Sequence, residues 1–154
     1  MLKYGKVCSV FGHRNIDLCD LSMEELKDDF ENLILYENVN TFLFGGFGDF
    51  DKLCHELVSE LKQKYNHIKR IYCLSDERHL MATKCPKYIV KSDYEELIYL
   101  PLDYDFYYKR IYFRNCAMID ESDFVIFYIR HTEYSGAYKA YKYAVKKKKK
   151  IINI

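Results

Sequence analysis

The chain has 154 residues, enough for one domain with its own hydrophobic core. Its 49% hydrophobic and 31% charged residues are typical of a globular protein and exclude an intrinsically disordered one. Lys and Arg total 24 against 23 Asp and Glu, and the resulting net charge of +1 gives no support to a general nucleic-acid-binding surface.

The first half of the chain alternates apolar runs with amphipathic segments. Lys6 to Phe11 is apolar enough for a strand buried on both faces, and Gly12-His13-Arg14 ends it. Ser22-Met23-Glu24-Glu25 is a capping box that opens a first helix. The pattern then predicts a second strand, a second helix and a third strand, at Thr41–Phe44, Phe50 to about Tyr65, and Arg70–Leu74.

The second half begins with a region of weak periodicity, Ser75 to Asp105, which contains both prolines. Within it, Tyr88-Ile89-Val90 is a candidate for a short extra strand. The remaining pattern predicts a helix, a strand, a loop, a helix and a last strand, at about Asp105–Asp120, Asp123–Ile129, Arg130–Ser135, Gly136 to about Lys148, and Ile151–Ile154.

Strands that are apolar on both faces and alternate with helices indicate a mainly parallel sheet covered on both sides. The sequence has no linker, so we predict one α/β domain over residues 1–154. It is expected to be a three-layer Rossmann-like fold of about five strands in the order 3-2-1-4-5. The loops Gly12–Asn15, Gly45–Asp51 and Arg130–Gly136 would then meet at one crevice, where such sheets bind ligands.

The second of these loops is rich in glycine and leads directly into a helix. Gly45, Gly46 and Gly48 allow either of two interpretations, a phosphate cradle at a helix N-terminus or a turn that needs glycine for steric reasons. Asp51 lies in the first helical turn, where a carboxylate complements the helix dipole. It would alternatively accept hydrogen bonds from a ribose or repel a phosphate.

Four short motifs occur along the chain in a characteristic order, namely Val10–Arg14, Phe44–Asp51, Arg114–Asp123, and Ser135–Ala137 followed by Ile151–Ile154. Together they resemble the YpsA-like proteins. Those belong to the SLOG superfamily of Rossmann-like nucleotide-binding domains, with the Lonely Guy (LOG) and DprA/Smf proteins. The resemblance covers most of the chain except Ser75–Asp105.

The resemblance implies binding of a nucleotide or nucleotide-derived small molecule, as in a sensor. We predict that the following residues contact this ligand: Gly12, His13, Arg14, Gly45, Gly46, Gly48, Asp51, Arg114, Asn115, Ser135 and Gly136. Several of them have a purely structural alternative. His13 would be a hydrogen-bonding loop residue, Arg14 a surface ion-pair partner, and Asn115 a brace for a neighbouring loop.

An enzymatic alternative follows from the LOG relatives, which hydrolyse the N-glycosidic bond of nucleoside monophosphates with an arginine and the glutamate of a PGGxGTxxE motif. Arg114 matches the arginine position. The PGG is absent here, and the glutamate position holds Lys139 or Ala140. The candidate catalytic residues of a phosphoribohydrolase are therefore Arg114 with Asp51 or Glu133.

A third interpretation is an interaction protein with a vestigial pocket that binds partners through its tyrosine-rich surface. A homodimer is compatible with the resemblance, since LOG-like proteins pair through helices. Lysines 146–150 complement the dipole at a helix C-terminus, so a nucleic-acid partner is disfavoured.

The sequence also carries no sign of secretion, of a membrane or of a metal. The six cysteines include no Cys-x-x-Cys pair, and we expect reduced thiols, no metal site and no further cofactor. No apolar run is long enough to cross a membrane and the N-terminus does not resemble a signal peptide, so we expect a cytoplasmic location.

Overall fold

The computed structural model describes residues 5–46, 48–75, 91–99, 109–133 and 135–154. Its centre is a sheet of six parallel strands in the order β4-β3-β2-β1-β5-β6. The strands are β1 Lys6–Gly12, β2 Val39–Phe44, β3 Lys69–Leu74, β4 Glu96–Tyr99, β5 Phe124–Tyr128 and β6 Lys150–Asn153. The helices are α1 Met23–Tyr36, α2 Asp49–Lys64, α3 Arg110–Glu121 and α4 Gly136–Lys146, with a short 3-10 turn at Lys91–Asp93.

The predicted Rossmann-like arrangement is confirmed, with one strand more than expected. The five predicted strands correspond to β1, β2, β3, β5 and β6, and they lie in the predicted order. The additional strand, β4, pairs with β3 at the edge of the sheet. The candidate strand Tyr88–Val90 lies outside the described residues, as does the start of the third predicted helix before residue 109.

Alternating strand residues build two separate cores, one on each face of the sheet. Cys8 and Val10 of β1 point toward α1 and α2, whose buried residues include Phe30 and Leu57. Their neighbours in β1, Val7 and Phe11, point to the opposite face and pack against residues of α3 and α4: Met118, Ile119, Ala140 and Ala144. The sheet is therefore covered on both sides, which explains why its strands are apolar along their whole length.

Local signals set the helix boundaries. The Ser22 side chain accepts a hydrogen bond from the Glu25 backbone N–H at 3.3 Å, as the predicted capping box requires. The buried residues of this helix are Leu26, Phe30, Leu33 and Ile34.

No helix in the described part of the chain is long and apolar enough to span a membrane.

Asp123 fixes the start of β5 against β1. Its backbone N–H donates to the Val7 carbonyl at 2.8 Å, and its carboxylate accepts from the Val7 N–H at 2.9 Å. This two-point contact sets the register between the two strands, so that Gly12 and Tyr128 end side by side. The loops that follow these strands consequently leave the sheet at the same edge.

Candidate functional site

A cavity of about 530 Å³ opens at the carboxyl ends of β2, β1 and β5. The chain leaves β1 toward β2 on one side, and β5 lies on the other, so this is the switch point of the sheet. Open α/β sheets bind their ligands at this place. We call it the switch-point cavity, and its volume lies within the usual range for small-molecule sites.

Nine of the eleven predicted ligand residues line the switch-point cavity: Gly12, His13, Arg14, Gly45, Asp51, Arg114, Asn115, Ser135 and Gly136. The other two, Gly46 and Gly48, line a second cavity of about 750 Å³ beside α2. Asp51 lines both cavities and forms part of the wall between them. The candidate catalytic residue Glu133 is exposed and does not line either cavity.

Asp51 occupies the backbone donors of the glycine loop. Its carboxylate accepts hydrogen bonds from the Gly45 N–H at 3.3 Å and the Gly46 N–H at 2.8 Å. One of the two sequence interpretations assigns these donors to a phosphate, whereas in the structure they bind the chain's own Asp51 carboxylate. A phosphate would have to displace Asp51 to reach them.

Steric constraints also require glycine at these loop positions. Gly46 has φ +74° and Gly48 has φ +95°, a region of backbone conformation that other residues rarely adopt. A Cβ atom on Gly46 would overlap the Tyr72 ring, and one on Gly45 would lie 2.7 Å from Nη2 of Arg114. The turn therefore requires glycine even without a ligand.

The environment of Asp51 favours its protonated form. Burial raises the pKa of this carboxyl from 3.8 to about 6, against the opposing effects of the Gly46 and Gly45 N–H groups and the positive charge of Arg114. Asp51 is thus a buried acid whose charge changes near neutral pH.

Arg114 of α3 braces the ends of two strands. Only 3% of this residue is exposed. Its Nη1 donates to the carbonyls of Gly45 at 2.9 Å and Cys73 at 3.2 Å, while its Nε and Nη2 donate to Oδ1 of Asn115 at 3.2 and 3.1 Å. These bonds hold α3 against the carboxyl ends of β2 and β3. They give Arg114 and Asn115 a structural role in shaping the cavity wall.

His13 connects the loop after β1 to the loop after β5. Its Nε2 accepts from the backbone N–H groups of Arg130 at 2.7 Å and His131 at 3.3 Å. Because both of these groups donate, Nε2 carries no proton and the neutral ring carries its proton on Nδ1. Nδ1 lies 3.2 Å from Oγ of Ser135 and therefore donates to it. The rings of His13 and His131 also stack, with centroids 3.9 Å apart.

This tautomer decides what the Ser135–His13 pair does chemically. A protonated Nδ1 does not accept the serine proton, so the pair is not a nucleophile with its general base. Burial, followed by the nearby charges of His131 and Arg130, lowers the pKa of His13 and keeps the ring neutral. The Ser135 Oγ accepts from His13 and from the Tyr138 N–H at 3.1 Å, which leaves its own hydroxyl proton to donate.

The N-terminus of α4 presents backbone donors to the switch-point cavity. Ser135 is the N-cap, and Gly136 and Ala137 are the first two helical residues. Within the described part of the chain, neither Gly136 N–H nor Ala137 N–H has a hydrogen-bond partner. A Cβ atom on Gly136 would meet nothing within 4 Å, so its lack of a side chain leaves space beside these donors.

Six lining residues were not among the predicted ligand contacts: Val10, Phe11, Asn15, Ile111, His131 and Ala137. Ile111 and Ala137 are the two that lie on helices. Ile111 lies three residues before Arg114 and shares its face of α3, and 41% of it is exposed. Ala137 follows Gly136 in the first turn of α4. Helical spacing from a predicted site residue is the signal that identifies Ile111, and the second position after an N-cap identifies Ala137.

Comparisons with known proteins find a similar fold among solved structures. No family model matches the chain, and no curated protein matches it. Among solved structures, DNA processing protein A (DprA) from Streptococcus pneumoniae superposes on 98% of this chain with a TM-score of 0.67 and 16% identity. The fold is similar to that of DprA.

A second DprA structure gives the same result. DprA from Helicobacter pylori, described in its binding of single-stranded DNA, superposes on 96% of the chain with a TM-score of 0.61 and 15% identity. The chain spans 50% and 64% of the lengths of these two proteins. At such low identity the likeness establishes the shared fold.

Proposed function

We propose that the switch-point cavity binds a nucleotide or nucleotide-derived small molecule, with its phosphate at the N-terminus of α4. The observation that carries this proposal is the group of converging donors at that helix: the N–H groups of Gly136 and Ala137 and the Ser135 hydroxyl. Helix N-termini favour anions through these donors and the positive end of the helix dipole.

Two further features support this placement of the phosphate. The cavity is open above Gly136, so a ligand can approach the backbone closely. Arg14, an exposed residue, lines the same cavity and adds a positive charge. Its backbone is held in place because its carbonyl accepts from the Asp49 N–H at 2.7 Å. This proposal moves the phosphate from the glycine loop, whose donors Asp51 occupies, to the opposite end of the cavity.

The finer family assignment is part of the proposal. The likeness to DprA agrees with the SLOG superfamily that the four sequence motifs suggest, and we propose that this chain is a YpsA-like member that acts as a sensor.

A phosphoribohydrolase is the second candidate function. One observation favours it: Asp51, an acid with a raised pKa, lies in the cavity near Arg114. Release of free base from a nucleoside monophosphate, lost in Asp51→Asn, would identify that activity.

The test is a thermal-shift panel of nucleoside mono-, di- and triphosphates, cyclic nucleotides, NAD and ADP-ribose. A ligand at 100 times its dissociation constant stabilises the fold by about 2.7 kcal/mol, which gives a clear shift in Tm. Gly136→Val should abolish the shift, because the new side chain fills the space at the helix N-terminus, where an added Cβ meets nothing within 4 Å. Lys139→Ala, on the exposed side of the same helix, is the matched control and should retain it.

A single-stranded oligonucleotide belongs in the same panel, since one similar structure concerns DNA binding. We expect no binding, because the net charge is only +1 and two of the lysines at 146–150 contact Asp120. Nζ of Lys147 lies 3.9 Å from the Asp120 carboxylate, and Nζ of Lys149 donates to the Asp120 backbone carbonyl at 3.3 Å. A shift with the oligonucleotide and none with nucleotides would replace our proposal with DNA binding. A flat panel would favour the interaction-protein alternative.

A further inference from the structure

The two ends of the switch-point cavity have opposite hydrogen-bonding character. At the α4 end, Ser135, Gly136 and Ala137 present donors. At the β2 end, the Asp51 carboxylate only accepts when ionised. Arg114 and Asn115 also line this end, where Arg114 donates to the Gly45 and Cys73 carbonyls and to Oδ1 of Asn115. A ligand complementary to this cavity therefore has an anionic group at the α4 end and hydroxyl or amine donors at the β2 end.

The Asp51 carboxylate keeps acceptor capacity beyond its contacts with the glycine loop. Each of its oxygens accepts one backbone N–H, Oδ1 from Gly45 and Oδ2 from Gly46. A carboxylate oxygen accepts two hydrogen bonds, so one acceptor position remains on each. Two adjacent acceptors on one rigid group match two adjacent donors, as in a vicinal diol. The Arg114 guanidinium nearby offsets part of the cost of holding this charge in a buried place.

The spacing of the strands suits a phosphorylated pentose. β2 and β5 flank β1, so the carboxyl ends of these two strands lie about two strand spacings apart, roughly 10 Å. This is the span of a pentose 5-phosphate with a hydrogen bond of about 2.8 Å at each end. A second phosphate near Asp51 would be repelled by its charge, so the sugar is the part of a nucleotide that fits there.

We infer that Asp51 is the ribose-binding residue of this cavity and that it selects ribonucleotides over 2′-deoxyribonucleotides. The inference rests on the proposed function, because it needs the phosphate at α4. The 2′- and 3′-hydroxyls donate to the two oxygens of Asp51, and the glycine loop holds that carboxylate in position through its N–H groups. In this arrangement the glycine loop orients the carboxylate that accepts from the sugar hydroxyls, and the phosphate binds at the N-terminus of α4.

The test is isothermal titration calorimetry at pH 8 with each ribonucleoside 5′-monophosphate and its 2′-deoxy and 3′-deoxy forms. Hydrogen bonds to a charged acceptor predict that loss of one hydroxyl weakens binding about tenfold to a hundredfold. Asp51→Asn should bring the ribose and deoxyribose affinities close together, because an amide offers one acceptor oxygen and places donors on the other side. Asp49→Asn, an exposed carboxylate in the same helical turn, should leave the ratio unchanged.

The outcomes separate this inference from the proposed function. Equal affinities for ribose and deoxyribose forms in the unaltered protein would overturn the role of Asp51 and leave phosphate binding at α4 intact. Persistence of the preference in Asp51→Asn would do the same. Binding of none of these monophosphates would overturn both. Should Asp51→Asn fail to fold, equal affinities for the ribose, 2′-deoxy and 3′-deoxy forms in the unaltered protein would still overturn the inference.

Discussion

Replacement of Asp51 by Asn should change how stability depends on pH. Burial raises the pKa of the Asp51 carboxyl from 3.8 to about 6, so the folded protein holds this proton more tightly than the unfolded chain does. The stabilising contribution is therefore greatest below about pH 4 and is lost as the pH rises through about 6. Since a tenfold change in proton affinity is worth about 1.36 kcal/mol, ionisation of Asp51 costs the fold roughly 3 kcal/mol at pH 7.

The measurement is the free energy of unfolding from urea titrations at pH steps between 4 and 8. The amide does not titrate, so the difference between the unaltered protein and Asp51→Asn should move by roughly 2.5 kcal/mol over this range, with the unaltered protein losing stability toward pH 8. Other groups cancel in this difference. That includes His13, whose lowered pKa makes stability fall as the pH drops below its ordinary value of 6.5.

Asp49→Asn provides the control for this series, since Asp49 is an exposed carboxylate in the same turn of α2. Its stability curve should run parallel to that of the unaltered protein. If the Asp51→Asn curve also runs parallel, Asp51 ionises in the fold as it does in the unfolded chain. The reasoning from its burial would then be refuted, whatever the absolute stability of the variant.

Four further outcomes are expected. Truncation of Arg114 to Ala should cost about 3 kcal/mol of unfolding free energy or more in urea titrations, because it leaves buried carbonyl groups unsatisfied; a loss below 0.5 kcal/mol would contradict the bracing role. Gly46→Ala should destabilise by at least 1–2 kcal/mol, since its φ is +74° and a Cβ would overlap Tyr72. NMR of histidine-labelled protein should show His13 protonated on Nδ1 with a midpoint below 6.5, and an Nε2-protonated ring would refute its hydrogen-bond assignment. Gly136→Ala should leave Tm unchanged or raise it by the equivalent of up to about 1 kcal/mol, and a clear loss would show hidden strain there.

Most of the fold could be predicted because the strands leave a strong signal. Runs such as Phe124–Tyr128 are buried along their whole length, and apolar runs separated by amphipathic helices are typical of a parallel sheet. β4 lacked that signal. It has four residues, begins with Glu96 and is partly exposed along most of its length, and among the described strands it pairs only with β3, so its pattern resembles that of a loop.

The convergence of the site loops could also be predicted, because the strand order determines which loops are neighbours. The individual partners could not. The contact between Asp51 and the glycine loop depends on how α2 is oriented after the turn, and that orientation is a tertiary property. Likewise, the sequence shows Arg114 as a cation on a helix. It does not show that the side chain ends at the carbonyls of two strands.

The central position of β1 has a consequence for how the protein folds. Val7 bonds to a residue 116 positions later, and His13 to one 122 positions later. Contacts of this separation close long loops, which slows folding. β1 therefore has an unpaired edge until β5 has been synthesised, and an unpaired apolar strand is prone to aggregation. We expect N-terminal fragments that end before Phe124 to lack the switch-point cavity and to need a chaperone to remain in solution.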